Sequence, residues 1–445
     1  MVAWTLPDAS FVQGLDEGAG ADLDRSLFDR SRAELLRDVV VVTLVAEVRH
    51  LGEHRVWVLG HSRDEWWSST GHDQTPVIGD NHEVDLVGAD AEELPDAAAV
   101  IATVIAPGAE FVDQGGVQRA AIDALAEAGL LGTPLERGAQ RELAELISAA
   151  DASIWFCWVQ HQSPLRGLAQ ATATDRAPFV EGLKSRWLGG MESGRFLAAV
   201  AFAHLRRAGA PNPVATRVDG GWMLNGTLDW VTSWDIADVV MVMARGTADD
   251  AGNVMTCFIP AGRSDVPREG LEVGEPLRLL AMSGTHTRPI ALRDFVVPDE
   301  SVAAVDELRG WLAADSLRTA DANPAAFGVT RGALSELHEL AIERGDGVML
   351  VSSEQLAEQC RDIRRAAYEL ADRADEANVP QRLDLRAASL DLVMRTTTAT
   401  VIARAGAGVR SGTSAERRVR EALFLQIQAQ TADSRRAGLK RLAGR

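Results

Sequence analysis

The apolar residues of this chain change their period along its length. In VQRAAIDALAEAG (117–129) they recur at helical spacing and stop at Gly129, a residue suited to close a helix. ELAELISAA (142–150) places Leu143, Leu146, Ile147 and Ala150 on one face, as an amphipathic helix requires. From 201 to 303 the runs become short and alternating or β-branched. WMLNGTLDWVT, VVMVMA and MTCFIP, with turn residues between them, predict strands. After 304 the helical period returns. Leu356, Cys360, Ile363, Ala367 and Leu370 form one seam, and Leu383, Ala387, Leu390, Met394, Thr397 and Val401 another. Such seams belong to packed antiparallel helices. Thr413 and Glu416 have capping-box spacing and predict a last helix running through LFLQIQAQTAD (423–433). The basic tail RRAGLKRLAGR reads as its solvated end.

The N-terminal hundred residues differ. DLDRSLFDRSRAELLRD reads as helix, VVVVTLVAEV and RVWVLG as strands, and ELPDAAAVIATVIA as helix again. The predicted fold class is α+β: an N-terminal appendage over 1–105, a helical domain over 106–200, a β-domain over 201–303 and a helix bundle over 304–445. The paired Trp66 and Trp67 read as core packing within the appendage.

Composition narrows the function classes. Of 445 residues, 46% are hydrophobic and 24% charged, as in an ordinary globular protein. The formal net charge of −19 disfavours non-specific binding to nucleic acid and to anionic lipid. It leaves room for a small anionic ligand, which feels only a local patch. No apolar run approaches the roughly eighteen residues that span a bilayer, and MVAWTLPDAS lacks the segments of a signal peptide. A cytoplasmic protein with neither a membrane nor a nucleic-acid partner is expected. Cys157, Cys257 and Cys360 are dispersed and odd in number, which argues for free thiols. His50 and His54 have a ligand-like interval, and His61, His72 and His82 follow. VRHLGEHRVWVLG reads as strand, turn and strand, however, so no metal site is expected.

Three strings, AAIDALAEAGLLGTP, VATRVDGGWMLNGTLDWVTSWDIADVVMVMAR and SGTHTRPIALRDFVVP, resemble the acyl-CoA dehydrogenase superfamily over about residues 107–445. AGAGVRSGTSAERRVREALFLQIQAQT extends the resemblance through the bundle. It implies a helical domain, a central β-domain and a C-terminal four-helix bundle, with FAD as cofactor and FMN as the alternative. It implies cofactor contacts from His204, Leu205, Trp230, Val231, Thr232, Gly406, Gly408 and Thr431. It also implies an acyl-CoA or other hydrophobic small-molecule substrate, and a homo-oligomer or a heteromer with a related subunit. Read alone, Trp230 and Thr232 offer an aromatic plane and a hydroxyl at a strand edge. Gly406 and Gly408 read alone as a turn between helices.

The departures are as informative. Where the family carries its glutamate base this chain has Ala429, between Gln428 and Gln430. A methyl group cannot accept the proton α to a thioester. Asp315 and Asp321 are candidates for a relocated base, although the expected offset falls on Arg318, and Asp433 is a third. In AHLRRAGAPN (203–212) the family's acidic residue is Arg206 and its serine is Pro211, while ERGDGVMLVSSEQ lacks the arginine signature that reaches a partner's flavin. Three readings follow: an acyl-CoA dehydrogenase-like oxidoreductase, a flavin monooxygenase of the same fold with His161, His204 or His286 near the flavin, and a non-catalytic partner subunit.

Overall fold

The computed structural model describes residues 94–444, apart from 133–134, 208, 210–211 and 265–267. The appendage expected over 1–105 lies outside the described residues up to 93, and with it Trp66, Trp67 and the five early histidines. The described part opens with helix α1, formed by Pro95–Val100, a π-helical turn Ile101–Ile105 and Ala106–Gly115 without a break. The boundary expected at 105 falls inside this helix. Its segment Ala97–Gly115 is long and apolar enough to cross a membrane by length and composition. That corrects the expectation that no run comes near this length: the alanines together with Val100, Ile101, Val104, Ile105, Phe111 and Val112 hold the mean hydropathy up, and only Glu110 and Asp113 are charged. In the fold α1 turns Ala97, Ile105, Ala109 and Val112 into the helical core, and Asp113 pairs with Arg420.

Helices α2 (Arg119–Glu127), α3 (Arg137–Ala150), α4 (Ala152–Gln170) and α5 (Val180–Glu192) complete this layer. Its core gathers Ile122, Leu125, Leu143, Ile147 and Trp155. Helix α4 is buried over most of its surface because IWFCWV is apolar all round. It starts where Asp151 accepts from the Ile154 backbone N–H at 2.8 Å, an N-cap of the ordinary kind.

The strands are β1 (Ala198–Ala201), β2 (Val214–Val218), β3 (Gly221–Val231), β4 (Val239–Gly246), β5 (Asn253–Pro260), β6 (Leu271–Val273), β7 (Arg288–Pro298) and β8 (Val302–Glu307). They form one sheet in the order β6-β7-β3-β2-β4-β5-β8, with β1 pairing to β4 in parallel. One face buries Leu224, Val240, Met255 and Ile290 in the sheet's own core. The other packs Met241 and Phe258 against Leu168 and Leu183 of α4 and α5. Both faces are covered, which explains why VVMVMA reads as a continuous apolar run.

Helices α6 (Leu308–Thr319), α7 (Pro324–Arg344), α8 (Gly347–Asp372), α9 (Val379–Arg404), α10 (Ser414–Leu425) and α11 (Ala432–Leu442) form the C-terminal part. Phe327, Leu334, Cys360, Ala367 and Leu392 fill the seams of the bundle. A buried ionic network ties it to α3: Glu142 and Glu145 each pair with Arg331 and Arg364. Tyr368 donates its hydroxyl to Glu145. Every charge there has an opposite partner, the condition for burying it.

The last helix is not continuous through 423–433. It stops at Leu425 and restarts at Ala432, with Ala429 in the left-handed region at φ 51°. Three side chains compete with helix continuation. Gln426 donates to Leu390 O at 3.0 Å, and Arg386 captures the Gln428 carbonyl at 2.7 Å. Thr431 caps α11 in a reciprocal capping box with Ser434. Short hydroxyl side chains favour such caps over helix interiors. Thr413 caps α10 as expected, accepting from Glu416 N, while the Glu416 carboxylate turns to Arg420 instead.

Candidate functional site

A cavity of about 2070 Å³, open to solvent on one side, is lined by α4, the sheet, the segment before β7, the start of the bundle and the α10–α11 turn. Its wall brings together residues far apart in sequence: Phe156 and Val159, Trp230 and Thr232, Met282 and Thr287, Asp315 and Asp321, and Gln428 through Thr431. The end of β3 supplies its aromatic wall by strand alternation. Trp230 and Thr232 border the cavity, whereas Val231 between them is fully buried in the sheet core. Trp230 keeps 48% of its surface exposed, an aromatic plane open to a ligand.

Thr232 is nearly buried and belongs to a chain of hydroxyls. Thr285 donates to Met282 O at 2.8 Å, Thr287 lies 2.8 Å from Thr285 Oγ1, and Thr232 lies 3.2 Å from Thr287 Oγ1. A hydroxyl has one proton. Since that of Thr285 goes to the carbonyl, Thr287 donates to Thr285 and Thr232 donates to Thr287. Thr232 is left with lone pairs, not a proton, as its open capacity. Thr285 and Thr287 were not foreseen: Ser283–Thr285 form a 3-10 turn and His286 is left-handed, so SGTHTRP carries no strand alternation that would point to them.

Ala429, Gln428, Gln430 and Thr431 border the same cavity. Gln428 is fixed by its side chain, which accepts from Asn323 at 2.9 Å, and by its carbonyl, which accepts from Arg386. Thr431 reaches the cavity while also capping α11, so the hydroxyl is already engaged with the Ser434 backbone N–H at 3.3 Å.

The candidate bases are all held. Asp315 accepts from Arg206 at both oxygens, 2.7 and 2.9 Å, with Arg318 at 3.5 Å. Asp321 accepts from Arg382 Nε at 2.7 Å, and its carbonyl accepts from Arg386. Asp433 does not border the cavity; it is exposed and pairs with Arg436 at 2.6 Å. Arg206 stands where the family's acidic residue would be, and its partner Asp315 explains how a cation is accommodated there. Pro211 lies outside the described residues.

None of the three histidines singled out borders the cavity. His161 is fully buried: Nε2 donates to Met191 O at 3.2 Å and Nδ1 accepts from Ala198 N at 3.0 Å. Burial lowers it to about 4, so it is a neutral clamp between α4, α5 and β1. His204 donates from Nε2 to Met243 O at 2.7 Å and is likewise lowered to about 4 by burial. His286 contacts Val117 O at 3.0 Å, with Asp235 at 3.5 Å from its other nitrogen. Leu205 is buried against the sheet and also lies off the cavity. Gly406 and Gly408 sit in the turn Ala405–Val409 after α9, away from it. A Cβ on Gly408 would come within 2.6 Å of Val401 O, a packing reason for glycine there.

Cys157, Cys257 and Cys360 are free and buried, their thiols pushed up to about 12 by burial. Among the described residues no group of three or more His, Cys, Asp or Glu could hold a metal ion.

No family model matches the chain. It is 33% identical over 136 residues to benzylmalonyl-CoA dehydrogenase of Aromatoleum aromaticum, a stretch covering 29% of this chain and 33% of that relative. The chain thus matches about a third of that relative's length. Among solved structures, butyryl-CoA dehydrogenase from Megasphaera elsdenii superposes with TM-score 0.63 at 19% identity, over 82% of this chain and 100% of that one. Dibenzothiophene monooxygenase from Paenibacillus sp. A11-2 gives TM-score 0.62 at 20% identity, over 80% and 98%. The chain has the fold of the acyl-CoA dehydrogenases.

Proposed function

We propose that this chain is a flavin-dependent oxidoreductase of the acyl-CoA dehydrogenase type, acting on an acyl thioester or a similarly hydrophobic small molecule, without a base at the family position. The observation that carries this reading is that Trp230, Thr232 and Ala429 border one cavity. The cavity suits a flavin on its own terms: it is large, it has an open aromatic plane, and a hydroxyl lies beside that plane. When bound, the flavin would take up the electrons removed from the substrate. Trp230 would stack on the ring, Thr232 would accept a hydrogen bond from it, and the apolar side chains of Phe156, Val159 and Met241 would exclude water. FAD is preferred to FMN on the superfamily resemblance. Gly406 and Gly408, away from the cavity, are assigned to a cofactor arm that reaches a second copy of the chain. An oligomer is part of this reading. Val348, Ile402 and Val409 are exposed at the one end of the bundle where α8 begins and α9 ends.

Proton removal at Ala429 is impossible, and the two candidate bases that border the cavity, Asp315 and Asp321, are engaged by arginines. That observation favours, as second reading, oxygenation by reduced flavin, which needs no α-deprotonation. The absorbance spectrum of the purified protein, followed by anaerobic titration with acyl-CoAs of several lengths, tests these readings. Bleaching of a bound flavin supports the dehydrogenase. A flavin that stays oxidised, yet transfers oxygen to substrate once reduced and aerated, supports the monooxygenase. Absence of any flavin supports a partner subunit.

A further inference from the structure

The cavity is locally cationic in a strongly acidic protein. Eight arginines border it against four aspartates, although the chain as a whole carries −19. The charge is concentrated near the Gln428–Ala429 turn. Arg382 and Arg386, one turn apart on α9, are both almost fully buried. Arg382 donates Nε to Asp321 and Nη2 to Leu317 O, and Nη1 has no partner. Arg386 donates Nη1 to Asp321 O and Nη2 to Gln428 O, and Nε has no partner. Arg206 approaches from the β1–β2 connection, paired with Asp315. Burial first, and then repulsion from Arg206, lowers Arg386 to about 10. Like charges are therefore held together here. A buried charged donor without an acceptor is costly, and native proteins seldom keep one without a reason. With Arg318 at 3.5 Å from Asp315, four guanidinium groups face the two carboxylates of Asp315 and Asp321, so the cluster is short of negative charge.

We infer that Arg382, Arg386 and Arg206 form an anion subsite beside Ala429, which takes a carboxylate carried on the acyl part of the substrate. This rests on the reading of the cavity as a thioester site. Arg382, which borders the cavity, has an N–H group without an acceptor, and a carboxylate supplies both an acceptor and negative charge to the cluster. Arg382 borders the cavity directly, while Arg386 lies behind it and also fixes the turn that presents Ala429. The substrate class is then a dicarboxylic acid joined to its carrier as a mono-thioester.

The test compares glutaryl-CoA with pentanoyl-CoA, two chains of equal length that differ by the carboxylate, by calorimetry on the full chain. Glutaryl-CoA should bind at least about tenfold more tightly, the worth of one charged hydrogen bond. Arg382→Gln should abolish the difference, and Arg206→Gln should reduce it, which keeps the test open should the first variant not fold. Equal affinities for the wild type would overturn the subsite. If neither thioester binds, the functional reading fails, and free glutarate then tests the arginines alone. Saturable glutarate binding lost in Arg206→Gln would uphold the subsite, and no glutarate binding would overturn it. Inorganic phosphate binding more tightly than glutarate would also overturn it, by reassigning the arginines to a cofactor phosphate.

Discussion

Asp315 offers both carboxylate oxygens to a single guanidinium, that of Arg206, at 2.7 and 2.9 Å. The aspartate is buried and the arginine partly so, across 109 residues of sequence. Removing one member of such a pair leaves a charge stranded in the fold. Asp315→Ala should therefore cost about 3 kcal/mol of stability. Arg206→Ala should cost somewhat less, because Arg318 remains beside the carboxylate. The double variant should lose less than the sum of the two. Denaturant unfolding of the four proteins measures this coupling, and additive losses would show that the pair contributes nothing. The same locked geometry bears on chemistry. If substrate reduces a bound flavin, Asp315→Asn should leave that reduction within about tenfold of wild type, since loss of a true base costs far more.

Ala429 holds a left-handed backbone with a Cβ attached, an arrangement that costs roughly 1 kcal/mol and that glycine avoids. Ala429→Gly should raise stability by up to about that amount, read as a higher denaturant midpoint with an unchanged slope. Ala429→Glu adds no new backbone strain and places a carboxylate on the cavity wall. It should confer exchange of the α-proton of a bound acyl-CoA with solvent deuterium. No exchange, with the thioester still bound, would mean that position 429 does not face the α-carbon.

Much of this arrangement was legible in the sequence wherever period and local chemistry decide it. Trp230, Val231 and Thr232 alternate across the sheet as WMLNGTLDWVT implies, and the bundle seams through Cys360 and Leu390 fall at the expected spacings. The break at 426–431 was not legible, because LFLQI continues a helical apolar period. What ends the helix there is non-local: Leu390 O receives Gln426, and Arg386 captures Gln428 O. The arginines around Asp315 and Asp321 were hidden for the same reason. Long polar side chains read as surface until the fold supplies their buried partners. The histidines went the other way, since a residue suited to catalysis is equally suited to bridging two backbone groups, as His161 does.

Asp151 links stability to pH in a direction that can be worked out. Burial raises its carboxyl to about 7, opposed by Arg417 and assisted by the neighbouring Glu421. Between pH ~4, where the unfolded chain releases this proton, and pH ~7, the folded chain keeps it. The folded state then binds more protons, so this group's contribution to stability falls as pH rises across the window. His161 and His204, lowered to about 4, act oppositely: the unfolded chain takes up protons first below about 6.5. The comparison of wild type with Asp151→Asn isolates the carboxyl, because asparagine keeps the N-cap bond from Ile154 N. The variant should gain stability relative to wild type as pH rises from 4 to 7. Parallel stability curves for the two proteins would show that Asp151 is ionised throughout.

The threonine chain predicts the redox behaviour of a bound flavin. Thr285 spends its proton on Met282 O, which obliges Thr287 to donate to Thr285 and Thr232 to donate to Thr287. Thr232 is thereby an acceptor toward the cavity, suited to a ring nitrogen that carries a proton, as it does in the reduced cofactor. Thr287→Val keeps the shape but removes the acceptor for Thr232, freeing that proton to donate to the oxidised ring instead. The two-electron potential should fall by about 20 mV for roughly 1 kcal/mol of hydrogen-bond preference exchanged. Thr232→Val, which removes both roles, should lie between the two. Potentials measured against reference dyes at constant pH give the order directly. A rise in Thr287→Val would mean that Thr232 already donates to the flavin in the wild type, and that the chain runs in the opposite sense.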